Sequence, residues 1–239
     1  MNNLLKAAAG ALEPCYVLHS RKYRDTSLIL ELFGKTSGRH AVVARGARGA
    51  KSKLRGRLQP FAPLLVSSRG RADLKTCTKV DFGGNAFSLK GERLILGLYI
   101  NELLYRLLGL HDPMLAVFSA YEKLLGELQA SGQSLRAIRQ FELLLLSNLG
   151  YGVDFASEAG TGKSVSHDGH YRYVAQEGFY PVAENAVGAL SGADLLAMGA
   201  ARLDEVDEAV LRRITRQSIR QLLGDKPLQS RALFKGLPR

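Results

Sequence analysis

Residues 26–33 read TSLILELF, and this stretch decides which kind of fold the chain can adopt. Successive side chains of a β-strand point to opposite faces, so the three leucines of the stretch share one face while Ile29, Glu31 and Phe33 share the other. Both faces are largely apolar, and both must therefore be covered. We predict a strand of a closed barrel whose outer surface packs against a neighbouring domain.

Four further segments of strand-like composition lie around this stretch and are separated by turns rich in Gly and Asp. They are CYVLHSRKY at 15–23, RHAVVARGA at 39–47, FAPLLVSS at 61–68 and LKTCTKVDF at 74–82. Five short strands within residues 14–82 are typical of a small barrel. The first third of the chain is therefore predicted to be all-β.

The apolar pattern changes from strand to helix at Gly91. Residues 92–108 contain 11 apolar residues among 17 at helical spacing. The same spacing predicts helices over 113–129, 134–149, 191–199 and 204–223. Residues 151–182 are Gly-rich and irregular, with a predicted hairpin around YRYVAQEGFYPV. We predict an α+β multidomain protein, with a basic barrel over residues 1–82 and a mainly helical domain over residues 83–239 that carries this insert.

The positive charge of the chain is concentrated in the predicted barrel. Residues 1–80 hold 16 Lys and Arg against 4 Asp and Glu, a net charge of +12, and the remaining residues are close to neutral at −1. Such asymmetry points to a polyanion-binding module joined to a neutral one. The start of the chain is a poor signal peptide, no run of 18 uncharged apolar residues exists, and the two cysteines are far apart, so we expect a cytoplasmic protein.

The segment 45–57, RGARGAKSKLRGR, contains six basic residues, three glycines and no acid. A solvated loop is the ordinary explanation of such a run. Here the segment joins two strands of a barrel whose other turns are also basic, which favours a mobile loop that neutralises the phosphates of a nucleic acid. The predicted contact residues are Arg21, Lys22, Arg24, Arg39, Arg45, Arg48, Lys51, Lys53, Arg55 and Arg57.

Aromatic side chains in the barrel are candidates for stacking on bases. Tyr23 is the best of them because basic residues flank it on both sides. Phe33 and Phe61 lie within apolar strands and are predicted to belong to the core. Outside the barrel, Arg212, Arg216 and Arg220 form a stripe at helical spacing, for which charge balancing with the acidic first turns of the same helix is a sufficient explanation.

No segment of the chain calls for catalysis. SEAGTGKS at 157–164 ends like a phosphate-binding loop, but Ser157 stands where that loop needs Gly, and no helical pattern follows. His167, Asp168 and His170 resemble an exposed turn more than a metal site. We therefore expect no catalytic residue, no metal site and no cofactor. The alternative readings are a nucleotide-hydrolysing enzyme that uses Lys163 and an RNA-binding barrel protein of translation.

Five separated motifs resemble the RecO family of bacterial recombination mediators, in the same order and along nearly the whole chain. They are YVLHSRKYRDTSLILELF, VVARGARGAKSKLRGRLQPFAPLL, GLYINELLYRLL, RQFELLLLSNLGYG and KPLQSRALF. The resemblance implies an OB-fold barrel at the N-terminus, a helical domain after it, a location at the bacterial nucleoid and a role without catalysis. One departure matters: many relatives carry a four-cysteine zinc site after the NLGYG motif, and residues 151–182 contain no Cys here.

The resemblance also implies partners. RecO-like proteins bind single- and double-stranded DNA, anneal complementary strands, act with RecR and help load RecA onto DNA covered by the single-strand-binding protein SSB. The acidic C-terminal tail of SSB needs an apolar pocket rimmed by a cation. Because Arg136 and Arg139 stand one turn before a leucine run, we expect that tail to bind beside them in the helical domain.

Overall fold

The computed structural model describes residues 11–70, 73–130, 134–224 and 227–234. These residues form two compact units. One comprises the described residues of Met1–Gly132 and Pro227–Arg239, and the other comprises those of Gln133–Lys226. The strands of the first unit end at Phe82 and its helices follow, so a domain boundary after residue 82 stays a prediction.

A closed five-stranded barrel forms the first part of the chain, as predicted. Its strands are β1 Glu13–Tyr23, β2 Ser27–Gly34, β3 Gly38–Ala44, β4 Leu64–Arg69 and β5 Leu74–Phe82. They follow the order β1-β2-β3-β5-β4, and the pairing of β1 with β4 closes the barrel. β3 and β5 are parallel, whereas the other neighbours in the barrel are antiparallel. This is the architecture of an OB-fold.

β2 is buried on both faces, which confirms the prediction from its sequence. Leu30 and Leu32 point into the barrel, where they pack with side chains from every other strand. Phe33 points outward and lies fully buried against α2, Leu115–Gln129. Its ring centroid is 5.3 Å from that of Phe118 and 6.5 Å from that of Tyr121. The barrel therefore has a core inside and a second apolar layer outside.

A buried polar network joins β1 to the helices. The register of β1 shifts between Val17 and His19, where a bulge disturbs its pairing with β2. On α1, Glu92–Leu107, the buried amide of Asn101 donates to the Val17 carbonyl at 3.3 Å. The Tyr121 hydroxyl of α2 donates to the Asn101 amide oxygen at 2.6 Å. This network gives the buried Asn101 side chain its hydrogen-bond partners, and it fixes the positions of α1 and α2 relative to β1.

The end of the chain returns to α1. There α6, Ser230–Phe234, begins next to the carboxylate of Glu102. That carboxylate accepts hydrogen bonds from the Gln229 amide at 2.9 Å and from the Ser230 amide and hydroxyl at 2.8 and 2.7 Å. Burial acts to raise the pKa of Glu102, but these hydrogen bonds and the charge of Arg106 outweigh it and lower the pKa. The carboxylate therefore stays ionised and holds the C-terminal segment on α1.

The second unit combines helices with a small antiparallel sheet. Its elements are α3 Ser134–Asn148, β6 His170–Val174, β7 Gly178–Pro181, β8 Leu190–Ser191, α4 Gly192–Gly199, a 3-10 helix Leu203–Glu205 and α5 Glu208–Leu223. The strands follow the order β7-β6-β8, and β6 with β7 is the predicted hairpin. Tyr173 and Phe179 on the hairpin pack against residues of α4 and α5 to form the core of this unit.

The glycine in the middle of α1 allows this helix to pack closely on the segments around it. A Cβ atom on Gly97 would lie 2.8 Å from Leu89 Cδ1 and 2.9 Å from Phe61 Cζ, and both of these side chains are buried. Gly126 on α2 is different, because the nearest atom to its Cβ would be Phe87 Cε1 at 4.0 Å. The two helix glycines therefore differ in the space around them.

We predict opposite effects of alanine at these two positions. Gly97→Ala should lower the free energy of unfolding by about 1–3 kcal/mol, because the added methyl group overpacks a filled site. Gly126→Ala should raise it by about 0.5–1 kcal/mol, because alanine is the better helix former and the site has room. Urea unfolding of both variants measures the two values. Equal effects would contradict the packing described for Gly97.

Candidate nucleic-acid interface

The strand directions bring three segments to one end of the barrel. Since β1, β3 and β5 run parallel to one another, the turn after β1, the segment after β3 and the last residues of β5 lie at the same end. We call this the basic end and define it as residues 21–26, 45–58 and 79–82. The loops around Lys35 and Arg69 lie at the opposite end.

Residues 45–58 form consecutive turns on the barrel, and the expected mobility of this cationic loop stays a prediction. Backbone hydrogen bonds run from Gly49 to Gly46, from Ser52 to Gly49 and from Arg57 to Leu54, all at 3.0 Å. Ala47 and Leu58 are buried in the barrel core, and Leu54 packs against the core. The apolar residues between the cations therefore hold the segment on the barrel.

Arg48 ties this segment to the turn after β1. Its backbone amide donates to the Thr26 carbonyl at 2.8 Å, and its guanidinium donates to the Asp25 carbonyl at 2.8 Å. The turn and the segment are thus neighbours in the folded chain. The structure brings together the exposed predicted contact residues Arg21, Lys22, Arg24, Arg45, Lys51, Lys53 and Arg55 at the basic end.

Two arginines at the basic end lie over aromatic rings. The guanidinium carbon of Arg24 is 5.1 Å from the ring centroid of Tyr23, and that of Arg57 is 5.0 Å from the ring centroid of Phe82. Arg57 is partly buried and also donates to the Val80 carbonyl at 3.3 Å. These contacts orient two guanidinium groups at the basic end.

Arg39 does not join the other predicted contact residues. It lies at the start of β3, where its guanidinium donates to the Leu108 carbonyl at 2.9 Å and forms an ion pair with Glu31 at 3.1 Å. It also lies 5.5 Å from the ring centroid of Tyr105. Gly38 allows this approach, because its φ is +65° and a Cβ there would lie 2.3 Å from the Asp112 carbonyl oxygen. We therefore leave Arg39 out of the interface proposed below.

The aromatic residues divide as the sequence predicted, with one addition. Phe33 and Phe61 are buried at 0% and 4% exposure, which confirms their place in the core. Tyr23 is partly exposed at the basic end. Phe82 was missed, although it is 52% exposed at the end of β5. Its position as the last residue of a strand, directly before two glycines, is the signal that could have identified it.

Arg136 and Arg139 lie on α3, and both guanidinium groups contact protein oxygens. Arg136 donates to the carbonyls of Leu203 and Val206. Arg139 forms ion pairs with the fully buried Glu142 at 2.6 Å and with Glu208 of α5 at 3.3 Å. These contacts join α3 to the 3-10 helix and α5 within the second unit. Their geometry does not favour the basic lip that we expected at this position.

The segment 157–164 does not form a nucleotide-binding loop. Ser157 and Ser164 form a β-bridge, and the Glu158 amide donates to the Lys163 carbonyl at 2.7 Å. Strand β6 follows instead of a helix, so no helix N-terminus faces Lys163. Backbone pairing closes this part of the insert, and residues 151–182 contain no Cys, so they do not fit the four-cysteine zinc site that the family resemblance implied.

Three residues with metal-ligating side chains meet at the other end of the barrel. The side-chain ligand atoms of Glu13, Cys15 and His40 lie within 4.8 Å of one another, the one such group among the described residues. The Glu13 carboxylate accepts hydrogen bonds from the backbone amides and hydroxyls of Thr36 and Ser37. Because these bonds already employ both carboxylate oxygens in holding the β2–β3 turn, we do not assign a metal here.

His40 is 2% exposed inside this cluster. Burial lowers the pKa of its imidazole, and the charges of Lys75 and His111 add to that effect. The hydrogen bond with the Gly38 carbonyl at 3.1 Å and the charge of Glu13 act in the opposite direction, but they do not offset the burial. The neutral imidazole is therefore favoured in the folded protein.

The fold and the basic end together define a class: a protein with an OB-fold barrel that presents oriented cations at one end. Comparisons with known proteins extend this. The model "Recombination protein O N terminal" matches residues 11–84, and "Recombination protein O C terminal" matches residues 89–232. The chain belongs to the RecO family of DNA repair and recombination proteins.

Curated relatives agree with these matches. The DNA repair protein RecO of Yersinia pestis (strain Pestoides F) is 43% identical over 222 residues, which are 92% of this chain and 92% of the relative. The DNA repair protein RecO of Yersinia enterocolitica serotype O:8 / biotype 1B has the same identity and coverage. In the described part of the chain, the structure has no helix long and apolar enough to cross a membrane.

We predict that acidification destabilises the protein through His40. Its pKa in the unfolded chain is about 6.5 and is lower in the folded chain, so the unfolded chain binds more protons as the pH falls below that value. The stabilisation is complete above this pH and is lost on acidification. Between about pH 7.5 and 5.5, the melting temperature of His40→Asn should fall less than that of the wild type, because asparagine does not titrate.

Thermal unfolding followed by circular dichroism at the two pH values measures this difference. His19→Asn is the matched control, because it removes an exposed histidine of the same unit that is not among the groups acting on His40. If both variants flatten the pH dependence equally, the effect does not come from the burial of His40.

Proposed function

We propose that this protein is a non-catalytic recombination mediator that binds single- and double-stranded DNA and anneals complementary strands without ATP. Its partners are RecR, SSB and, indirectly, RecA, and these partners rest on membership of the RecO family alone. The observation that carries the DNA-binding part is the convergence of seven exposed cations at one end of the barrel. The proposed contact residues are Arg21, Lys22, Arg24, Arg45, Lys51, Lys53 and Arg55.

Charge neutralisation provides a mechanism for annealing. Two single strands repel each other through their phosphates, and a cationic surface that holds both lowers this repulsion and releases condensed counterions. Because phosphate contacts carry no sequence information, the bases stay available for pairing with any complement. Residues 45–58 suit this role, because buried Ala47 and Leu58 hold their backbone while Lys51, Lys53 and Arg55 extend into solvent.

The two alternative functions receive less support. A nucleotide-hydrolysing enzyme would need phosphate-cradling amides at a helix N-terminus near Lys163, and the next element along the chain is strand β6. An RNA-binding protein of translation would share the basic barrel, but the family models point to recombination. ATP turnover by the purified protein would favour the first alternative, and a preference for structured RNA over DNA would favour the second.

Neither the two predicted arginines nor the cavity that follows them in sequence suits the acidic tail of SSB. Arg136 and Arg139 contact carbonyls and carboxylates of the second unit, so they are poor receptors for an acidic peptide. A cavity of about 260 Å³ next to the NLGYG motif is lined by Tyr151, Asp154 and Glu177 among others. Its two carboxylates carry the wrong charge for an acidic tail.

We predict that the exposed cations of residues 45–58 contribute measurably to the salt dependence of DNA binding. Each phosphate contact on a single strand contributes roughly −0.7 to the slope of log K against log salt. Replacing Lys51, Lys53 and Arg55 by Ala should therefore make the slope shallower by about 2 and weaken binding to all sequences alike. Fluorescence anisotropy with a labelled oligonucleotide at several salt concentrations gives the slope.

A matched control separates the position of the charges from their number. Lys35, Arg69 and Lys90 are exposed and lie outside the basic end, and their replacement by Ala removes the same net charge. This variant should keep most of the wild-type slope. If both triple variants lose the same slope, the DNA site is not localised at the basic end.

An annealing assay tests the proposed function directly. We expect the protein to accelerate pairing of two complementary oligonucleotides, with and without SSB, in EDTA and without any nucleotide. The variant lacking Lys51, Lys53 and Arg55 should anneal more slowly than the control variant. Annealing that requires ATP, or that is abolished by the chelator, would refute the proposal of a nucleotide- and metal-independent activity.

A further inference from the structure

Phe82 is an aromatic side chain left in solvent at the end of a strand. It is 52% exposed, although it pairs with the buried Leu64 of β4. Among the described residues, the large hydrophobic side chains that are exposed include two aromatic ones, Phe82 and Tyr151, and only Phe82 lies in the barrel unit. An exposed phenyl ring next to a cationic surface is typical of a site for a ligand that has both flat groups and an anionic backbone. The ring can stack on a flat group while the cations contact the backbone.

Arg57 completes the surroundings of this ring. Its guanidinium carbon lies 5.0 Å from the ring centroid, and its hydrogen bond to the Val80 carbonyl at 3.3 Å holds it there. A guanidinium is planar and delocalised, so it can itself stack on a nucleobase. The Arg57 backbone amide also donates to the Leu54 carbonyl at 3.0 Å, so Arg57 belongs to the last of the consecutive turns in residues 45–58.

We propose that Phe82, together with Arg57, is a stacking site for an unpaired nucleobase of single-stranded DNA. This inference rests on the proposed DNA-binding function and assigns to it a site for bases as well as phosphates. Phosphates of the strand lie against Lys51, Lys53 and Arg55, and one base stacks at the end of β5. Stacking uses the face of the base and leaves its pairing edge free, which is what annealing requires.

The proposed stacking site distinguishes single-stranded DNA from duplex DNA. A base within a duplex is already stacked on both faces, so it cannot reach the ring without unstacking. Phosphate contacts alone do not make this distinction to the same degree. Phe82 should therefore contribute to the binding of single strands and contribute little to the binding of duplex DNA.

The first experiment compares an oligo-dT strand with an abasic strand of the same length and charge. Wild type should bind oligo-dT about tenfold more tightly at equal salt, the effect expected for a single stacked base. Phe82→Ala should remove most of this preference while keeping the affinity for the abasic strand and the slope against salt.

Phe82→Tyr should restore the preference because it keeps an aromatic ring. Tyr151→Ala, which removes the exposed aromatic side chain of the other unit, is the matched control and should behave as wild type.

A second experiment reports stacking itself. The chain has no Trp, so Phe82→Trp introduces a unique fluorophore at the proposed site. Its emission should be quenched when oligo-dT binds and should change little with the abasic strand or with duplex DNA. The Tyr151→Trp variant should show no quenching with any of the three ligands.

The outcomes distinguish this inference from the function on which it rests. If oligo-dT binds with the expected salt slope but Phe82→Ala keeps the full preference over the abasic strand, the stacking site is refuted and DNA binding stands. Equal quenching of Phe82→Trp by oligo-dT and by the abasic strand would refute it as well. If the wild-type protein binds neither strand, the proposed DNA-binding function fails first.

Discussion

Strand β2 is buried on both of its faces, and the rest of the first unit follows from this constraint. Its leucines must lie inside a closed barrel, since Leu30 and Leu32 are almost fully removed from solvent. Its outward face must be covered as well, and Phe118 and Tyr121 of α2 cover Phe33. A strand with one polar face would have allowed an open sheet, whereas this one needs both a barrel and a helical layer.

The helical layer restricts where a polyanion can bind. The ring of Tyr16, an outward residue of the neighbouring strand β1, lies 5.6 Å from that of Phe118 and 5.1 Å from that of Tyr121, so this outer surface is not available to a ligand. The basic residues of the barrel instead gather where β1, β3 and β5 end. There, buried Ala47 and Leu58 fix the backbone of a segment whose long charged side chains extend into water. The proposed interface therefore combines a backbone held on the barrel with cations that can adapt to the path of a DNA strand.

The second unit is held together by a different set of interactions. Its small sheet packs on α4 and α5 through Tyr173 and Phe179, and the ion pair of Arg139 with the buried Glu142 lies on α3. Glu158, whose backbone pairs with Lys163, also accepts a hydrogen bond from Thr161 at 2.8 Å. In the insert, backbone pairing and an aromatic core thus hold the chain together.

The spacing of apolar residues along the sequence predicted the strands, the helices and the two covered faces of β2, because strands and helices bury side chains at fixed intervals. The count of charged residues showed that the positive charge is concentrated in the barrel. The sequence could not determine which cations are available to a ligand. Arg39 meets a carbonyl of Leu108, and Arg48 meets one of Asp25, and such pairings depend on where distant segments cross. For the same reason the sequence did not reveal that Arg57 lies over the ring of Phe82, because that contact depends on where the chain after β3 meets the end of β5.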